Sequence, residues 1–327
     1  MAELPNFDHL IVIPHLRLQN ANAVSSPLTH GFPSITAFLG LMWALERKTR
    51  ASGINLQLNA IGVVVHQHEE QVTQSRFVKS FRLTRNPNGK DGSPSAIIEE
   101  GRIHLELSLV LAVQGDALLN DKPAVAKQLR DLVMQMRVAG ASVVASNAPK
   151  ARQRAYVVEL TGNEDDRRDT FTSATLRLLP GFVLVERHDL LRQRHQELQN
   201  ENPQATPLDA WLSLSRINWR SPDIEEQAPP AKPRAWTNDR TDLGWIVPIP
   251  VGYGALSDLQ AAGSVANARD EQTPFRMVES LYSIGQWLSP HRLQTPADLL
   301  WYADSNIEDG LYRCRNNYLP EPGCTFD

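Results

Sequence analysis

A chain of 327 residues with 42% hydrophobic and 21% charged content can bury a large core, which excludes a disordered tail and allows one large domain or two modest ones. The formal charge of −4 gives no overall basic footprint for nucleic acid, yet 26 of the 33 basic residues are Arg, whose planar fork pairs with phosphate and stacks on bases. Two cysteines, Cys314 and Cys324, exclude a disulfide framework and a four-cysteine zinc site, while the start MAELPNFDHL has no export pattern and no run of about eighteen apolar residues occurs, so a cytoplasmic, membrane-free protein is expected.

Residues 9–18 (HLIVIPHLRL) predict a first strand, with Leu10, Val12, Leu16 and Leu18 on one face and Ile11, Ile13, His15 and Arg17 on the other. The segment that follows, from Arg17 to Ser34, gathers amides, hydroxyls and a Gly just before a helix start, where free backbone N–H groups and the dipole favour a phosphate. The plainer alternative is a polar loop that caps the helix. That helix is predicted over 33–50, with Pro33 in its first turn, an apolar stripe of Ile35, Phe38, Leu39, Met42 and Leu45, and Arg47, Lys48 and Arg50 at its end.

A second strand is predicted over 54–66. Its exit, His66-Gln67-His68-Glu69-Glu70, has the residue types of a metal site, but no second cluster supplies the remaining ligands, so a polar strand end is favoured. Between residues 73 and 98 the chain carries Arg76, Lys79, Arg82, Arg85 and Lys90 against the single acid Asp91. Phe77 and Phe81 interleave with these cations, and Asn88-Gly89 and Asp91-Gly92 supply turn chemistry for the tip of one long hairpin. Cations and aromatics on a projecting ribbon suit single-stranded nucleic acid; a solvated hairpin with buried phenylalanines is the alternative.

Residues 102–113 predict a third strand with a clean period of two, and 123–138 a second helix with Val125, Leu129, Leu132, Val133 and Met136 in a stripe. This order approaches the ferredoxin-like, RNA-recognition-motif class of α+β fold with an inserted hairpin. Further on come a strand at 154–160, helices at 186–200 and 207–216, a Pro-rich surface loop at 219–243, a strand at WIVPIP and a helix at 274–287. No GxSxG elbow, Walker-type loop or GxGxxG fingerprint is present.

The segment QNANAVSSPLTHGFP (19–33) resembles the Cas-five-type, second Csy family of type I-F CRISPR surveillance complexes. The resemblance continues through LTRNP (83–87), EEGR (99–102), RVAG (137–140), LLPGF (178–182), GWIVPIP (244–250), WLSPHR (287–292) and LLWY (299–302), and covers nearly the whole chain. It implies a modified RNA-recognition-motif core over 1–145 with a thumb hairpin at about 70–102, and a C-terminal half, 146–327, packed on that core. It also implies a non-catalytic subunit without a cofactor, which holds the 5′ repeat handle of the CRISPR RNA, pairs with the large first Csy subunit, meets the backbone third Csy subunit and lies near target DNA. Carried onto this sequence, the handle contacts would be Arg17, Gln19, Asn20, Asn22, Ser25, Ser26 and His30 in the first loop. Arg82, Arg85, Asn86 and Lys90 would be thumb contacts, with Arg137 at the helix end. Residues 146–170 and 219–243 show no pattern of the family. Two other readings are a metal-independent repeat endonuclease with His15, His30 or His68 as general base, and a protein scaffold using Trp245, Tyr253, Trp287 and Trp301, aromatics that a core would equally explain.

Overall fold

The computed structural model describes residues 3–85, 88–89, 91–95, 97–220, 236–266 and 270–320. Strand β1 (His9–Asn22) runs four residues further than the apolar alternation predicts, so Gln19, Asn20 and Asn22 lie on a strand rather than in a loop. Two short strands, β2 (Val24–Ser26) and β3 (Thr29–His30), pair as a tight ribbon before helix α1 (Ile35–Ala51). Ser34 caps α1 by accepting from Thr36 N–H, and Ile35, Phe38, Leu39, Met42 and Leu45 are buried, as the spacing predicts.

Strand β4 (Gln57–Glu70) leads into a region that departs from the single long hairpin expected over 70–102. A side ribbon, β5 (Val72–Ser75) with β6 (Val78–Phe81), turns at Arg76, whose φ is 53°. A second ribbon, β7 (Leu83–Arg85) with β8 (Ile97–Glu99), then runs back into β9 (Arg102–Gln114). The leucines of β9 are buried as its alternation predicts.

Helix α2 (Lys122–Val133) is capped by Asp121 and stops short of the expected residue 138. Past Met136 the backbone finds strand partners instead: β10 (Arg137–Val138) folds back on β11 (Ala141–Val144) through Ala139 and Gly140, both at positive φ, and β11 pairs with β1.

Strand β12 (Tyr156–Glu159) pairs with β1, and helix α3 (Glu164–Leu176) opens with a capping box of Asn163 and Asp166. Only Phe171, Ala174 and Thr175 of α3 are buried, too thin a stripe to signal a helix by periodicity. Strand β13 (Phe182–Glu186) and helices α4 (His188–Glu201) and α5 (Pro207–Leu214) follow. Within the expected loop at 219–243, β14 (Trp219–Arg220) pairs with β15 (Thr237–Asn238); residues 221–235 lie outside the described set.

Strand β16 (Ile246–Ala255) then pairs with β17 (Val278–Leu288). The helix expected at 274–287 is therefore a strand. Residues 283–286 are buried on both faces, Ile284 in a core with Leu190 and Trp211 of α4 and α5 and Gly285 against Leu184 and Ile249, so Ser283, Ile284, Gly285 and Gln286 show no in–out alternation and the period-two signal is lost. Gly285 marks the closeness: a Cβ there would stand 2.8 Å from Leu184 Cδ1. A short helix, α6 (Pro296–Leu299), precedes the last strands, β18 (Trp301–Asn306) and β19 (Leu311–Asn316).

These strands form one eleven-stranded antiparallel sheet ordered β10-β11-β1-β9-β4-β13-β17-β16-β19-β18, with β12 beside β1. The path closes on itself, because β4 pairs with β18 at Ile61 and with β13 at Val64 and Val65. The chain is thus mixed α+β. Helices α1 and α2 bury Phe38, Leu39, Leu129 and Val133 with Leu16, Leu18, Leu105 and Leu107. In a second core α3 brings Phe171 and Ala174 together with Leu10, Val12, Val110 and Ala112, the opposite face of β1 and β9. Among the described residues no helix is long and apolar enough to cross a membrane. Cys314 is fully buried, and burial pushes its thiol up to about 12, so it stays protonated at neutral pH.

Candidate nucleic-acid interface

The sequence-predicted residues gather around one end of β1, β4 and β9. Two bulges in β1, at Pro14–His15 and Gln19–Asn20, set the local geometry, with His15 and Asn20 at φ 52° and 62°. Each bulge inserts one extra residue and re-aims side chains that a regular strand would bury or space evenly. The second is held by Asn20 N–H donating to His104 Nδ1 at 3.1 Å.

A cleft of about 350 Å³ is lined by Gln19, Asn20, Gln71, Arg82, Glu100, Arg102, Arg137, Gly140 and Ser142. It unites four of the predicted residues from three distant segments: Gln19 and Asn20 from β1, Arg82 from beside the side ribbon, and Arg137 from β10. Arg137 therefore sits at the start of a strand and not at a helix end, where it donates to Gly140 O at 3.3 Å and is exposed. Arg82 donates to Gln71 Oε1 at 2.8 Å, and Arg102 pairs with Glu100 at 2.6 Å. Arg102 was legible only as part of EEGR; the run of uncompensated charge ends before it.

Arg17 opens on a larger neighbouring cleft of about 860 Å³, with His15, His66, His68, His104, Glu106 and Arg152 in its walls. Arg17 Nη1 lies 3.4 Å from Asn147 Oδ1. Here His15 Nδ1 stands 2.7 Å from Glu106 Oε1, and the His15 and His66 rings stack at 4.4 Å. His66 Nδ1 donates to Pro180 O at 2.7 Å, so its Nε2 accepts from the Ser108 hydroxyl, also at 2.7 Å. Burial, together with the neighbouring His15, holds the His66 imidazole below its ordinary value and keeps it neutral. Both ring nitrogens are committed within the protein, and among the described residues no group of three His, Cys, Asp or Glu is arranged to hold a metal.

The remaining loop residues divide by direction. Asn22 is exposed but spends its amide on Val24, donating to Val24 O at 2.8 Å and accepting from Val24 N–H at 3.2 Å. Ser26 is buried and, with Ser25, bonds Thr29 Oγ1, at 2.6 and 2.8 Å. These hydroxyls hold the β2–β3 ribbon in shape. His30 faces outward, with Nδ1 3.7 Å from Glu70 and its ring 4.8 Å from Phe81. The first loop and the side ribbon are therefore one surface.

At the ribbon tip Phe77 is 100% exposed, which removes the buried alternative for that ring, while Phe81 is half-buried against His30. Arg85 ends β7; the placement of its side chain, and of Asn86 and Lys90, falls outside the described residues. Of the aromatics in the C-terminal half, Trp301 is core, donating to Leu184 O at 2.8 Å, whereas Trp245 and Tyr253 are exposed.

The model of a family described as CRISPR-associated protein (Cas_Csy2) matches residues 11–314. The CRISPR-associated protein Csy2 of Pseudomonas aeruginosa (strain UCBPP-PA14) is 46% identical over 309 residues, which cover 93% of this chain and 94% of that relative.

Proposed function

The chain belongs to the Csy2 family of CRISPR-associated proteins, and from that premise we propose that it is a non-catalytic subunit of a type I-F interference complex that holds the 5′ repeat handle of the CRISPR RNA. The observation that carries this reading is the cleft in which Gln19, Asn20, Arg82, Arg102 and Arg137 converge from separate segments. Guanidinium groups beside amides on a bulged strand offer phosphate contacts together with donors and acceptors for base edges. The exposed Phe77 at the tip of a ribbon bearing Arg76 and Lys79 supports its use as a thumb across the guide. The order β12-β1-β9-β4, with α1 and α2 on one face, supports a modified RNA-recognition-motif core. The partners on this reading are the large first Csy subunit, the backbone third Csy subunit and target DNA close to the complex, in the cytoplasm.

Co-expression with the neighbouring operon products, purification and extraction of nucleic acid test the proposal. A discrete RNA with a repeat-derived 5′ end, travelling with several proteins, is the expected result. An Arg82→Ala, Arg85→Ala double variant should retain the fold but lose RNA affinity by roughly 1–3 kcal/mol per good charge-assisted contact. Unchanged retention would remove the ribbon from the interface.

The His15–Glu106 pair is the one observation that favours a second, catalytic reading, since a carboxylate at 2.7 Å orients an imidazole as general base. Specific cleavage of repeat RNA by the purified chain, abolished in His15→Ala, would establish it.

A further inference from the structure

Apart from Ser25 and His30, the handle contacts do not reach a pocket of about 430 Å³ between the turn from β3 into α1, the end of β4 and the segments of β13, β16 and β17. Its apolar wall is aromatic. Trp245 meets Phe182 edge-on at 5.7 Å and lies 6.0 Å from Trp287, which in turn holds Phe32 edge-on at 5.1 Å. The wall is braced by the backbone, Trp287 N–H donating to Trp245 O at 3.0 Å. Even so, Trp245 is 53% exposed and Phe182 47%. Large rings fixed in place and left open to solvent form a flat, rigid, polarisable surface.

The rim is polar: Ser25, His30, His68 and Glu70 line the same pocket. The pocket also adjoins two clefts that hold cations, Arg17 and Arg152 beside Glu69 and Glu106 in one and Arg137 in the other. It shares His66 and His68 with the cleft of Arg17 and Arg152, and Ser25 with a cleft lined by Asn22 and Arg137. An aromatic wall, hydrogen-bonding groups at its edge and cations flanking it are the three contacts made by a nucleotide whose base has turned out of the strand. An aliphatic side chain of a protein partner would use the wall and neither of the other two.

We infer that this pocket takes a single unstacked base of the bound RNA, its ring laid on Trp245 and its edge towards His68 and Glu70, while the neighbouring phosphates run towards Arg137 on one side and Arg17 and Arg152 on the other. The inference rests on the RNA-binding reading and adds to it a base-holding site made by the second half of the chain. The GWIVPIP segment and Trp287 then serve binding as well as the sheet.

The complex assembled on guide RNAs carrying 2-aminopurine at one handle position at a time provides the test. One position should be quenched by stacking in the wild-type complex and become fluorescent in Trp245→Ala, with RNA retention weakened about ten-fold. Trp245→Phe, which keeps a ring, should restore both. A photocrosslinking substitution, Trp245→benzoylphenylalanine, should join this position to RNA. Equal fluorescence at every position with and without Trp245, or a crosslink to a protein subunit, would overturn the pocket and leave the Arg-lined cleft standing. A wild-type complex that carries no RNA would overturn both.

Discussion

Ser108 is the most informative single residue on β9. The alternation of that strand marks it as facing away from the leucines, with His104 and Glu106, yet it is fully buried. Its hydroxyl accepts from His15 N–H at 3.1 Å and donates to His66 Nε2, so the burial of a polar group is matched by its bonds. A pH dependence follows. Protonating His66 would place a proton on Nε2 where it already accepts, and would add charge beside His15 in a poorly solvated site. With its folded pKa depressed, His66 takes up its proton in the unfolded chain first as the pH falls below the ordinary imidazole range. Stability is therefore full above that range and declines through it towards the folded value. The melting temperature should drop between about pH 7 and pH 5.5. A His66→Gln variant should show a flatter profile, and equal slopes would remove His66 as the cause. At this scale the sequence was legible for residue type and not for direction. Asn22, Ser25 and Ser26 share a composition with Gln19 and Asn20, but short hydrogen bonds to Val24 and Thr29 absorb their polar groups, and nothing in the composition distinguishes the two fates.

Among the elements, legibility followed exposure. Helix α1 keeps a solvent face, and the first half of β9 alternates because Arg102, His104 and Glu106 reach the surface between buried apolar residues, so their periods survive in the sequence; in β17 residues 283–286 are buried on both faces, and the segment reads as a helix. The polar residues of this region reinforce the point. Glu186 of β13 accepts from Ser283 of β17 at 2.9 Å and pairs with Arg313 of β19 at 2.7 Å, one carboxylate tying three strands together. Glu186 is almost fully buried, so an Arg313→Ala substitution leaves a desolvated charge with one neutral partner in place of a cation. We expect a loss of roughly 3–5 kcal/mol, read as a lower denaturant midpoint. Adding Glu186→Gln to that variant should recover part of the loss, because the stranded charge is gone. If Arg313→Ala alone lowers the unfolding free energy by less than about 1 kcal/mol, the pair is not a tie between strands.

Across the whole molecule, charge is distributed more tellingly than its sum. The outer end of β17, the extension between β16 and β17 and the β18–β19 turn carry exposed Asp258, Asp270, Glu271, Glu279, Glu308 and Asp309, while Arg17, Arg82, Arg102, Arg137 and Arg152 outnumber Glu69, Glu100 and Glu106 in the clefts beside the bulged end of β1. A net charge of −4 is thus compatible with a locally basic face. Binding of RNA to the complex should weaken steeply with salt, and Arg137→Ala should reduce the slope of log K against log salt by about 0.7 if that Arg neutralises one phosphate of a single strand. An unchanged slope would place Arg137 off the backbone.

The closure of the sheet through β4 bears on how the chain is made. The outer edge of β4 is completed by β13 near Val64 and by β18 at Ile61, about 120 and 240 positions later in the sequence. During synthesis that edge, with its unpaired N–H and C=O groups, has to wait for strands not yet emerged from the ribosome, and until then it is open to pairing with other nascent chains. The wall of Phe182, Trp245 and Trp287 is likewise assembled from late segments, β13, the residue before β16, and β17. A ribosome stalled before residue 301 would therefore release a chain with its helices α1 and α2 in place, an adhesive strand edge, and no closed ring.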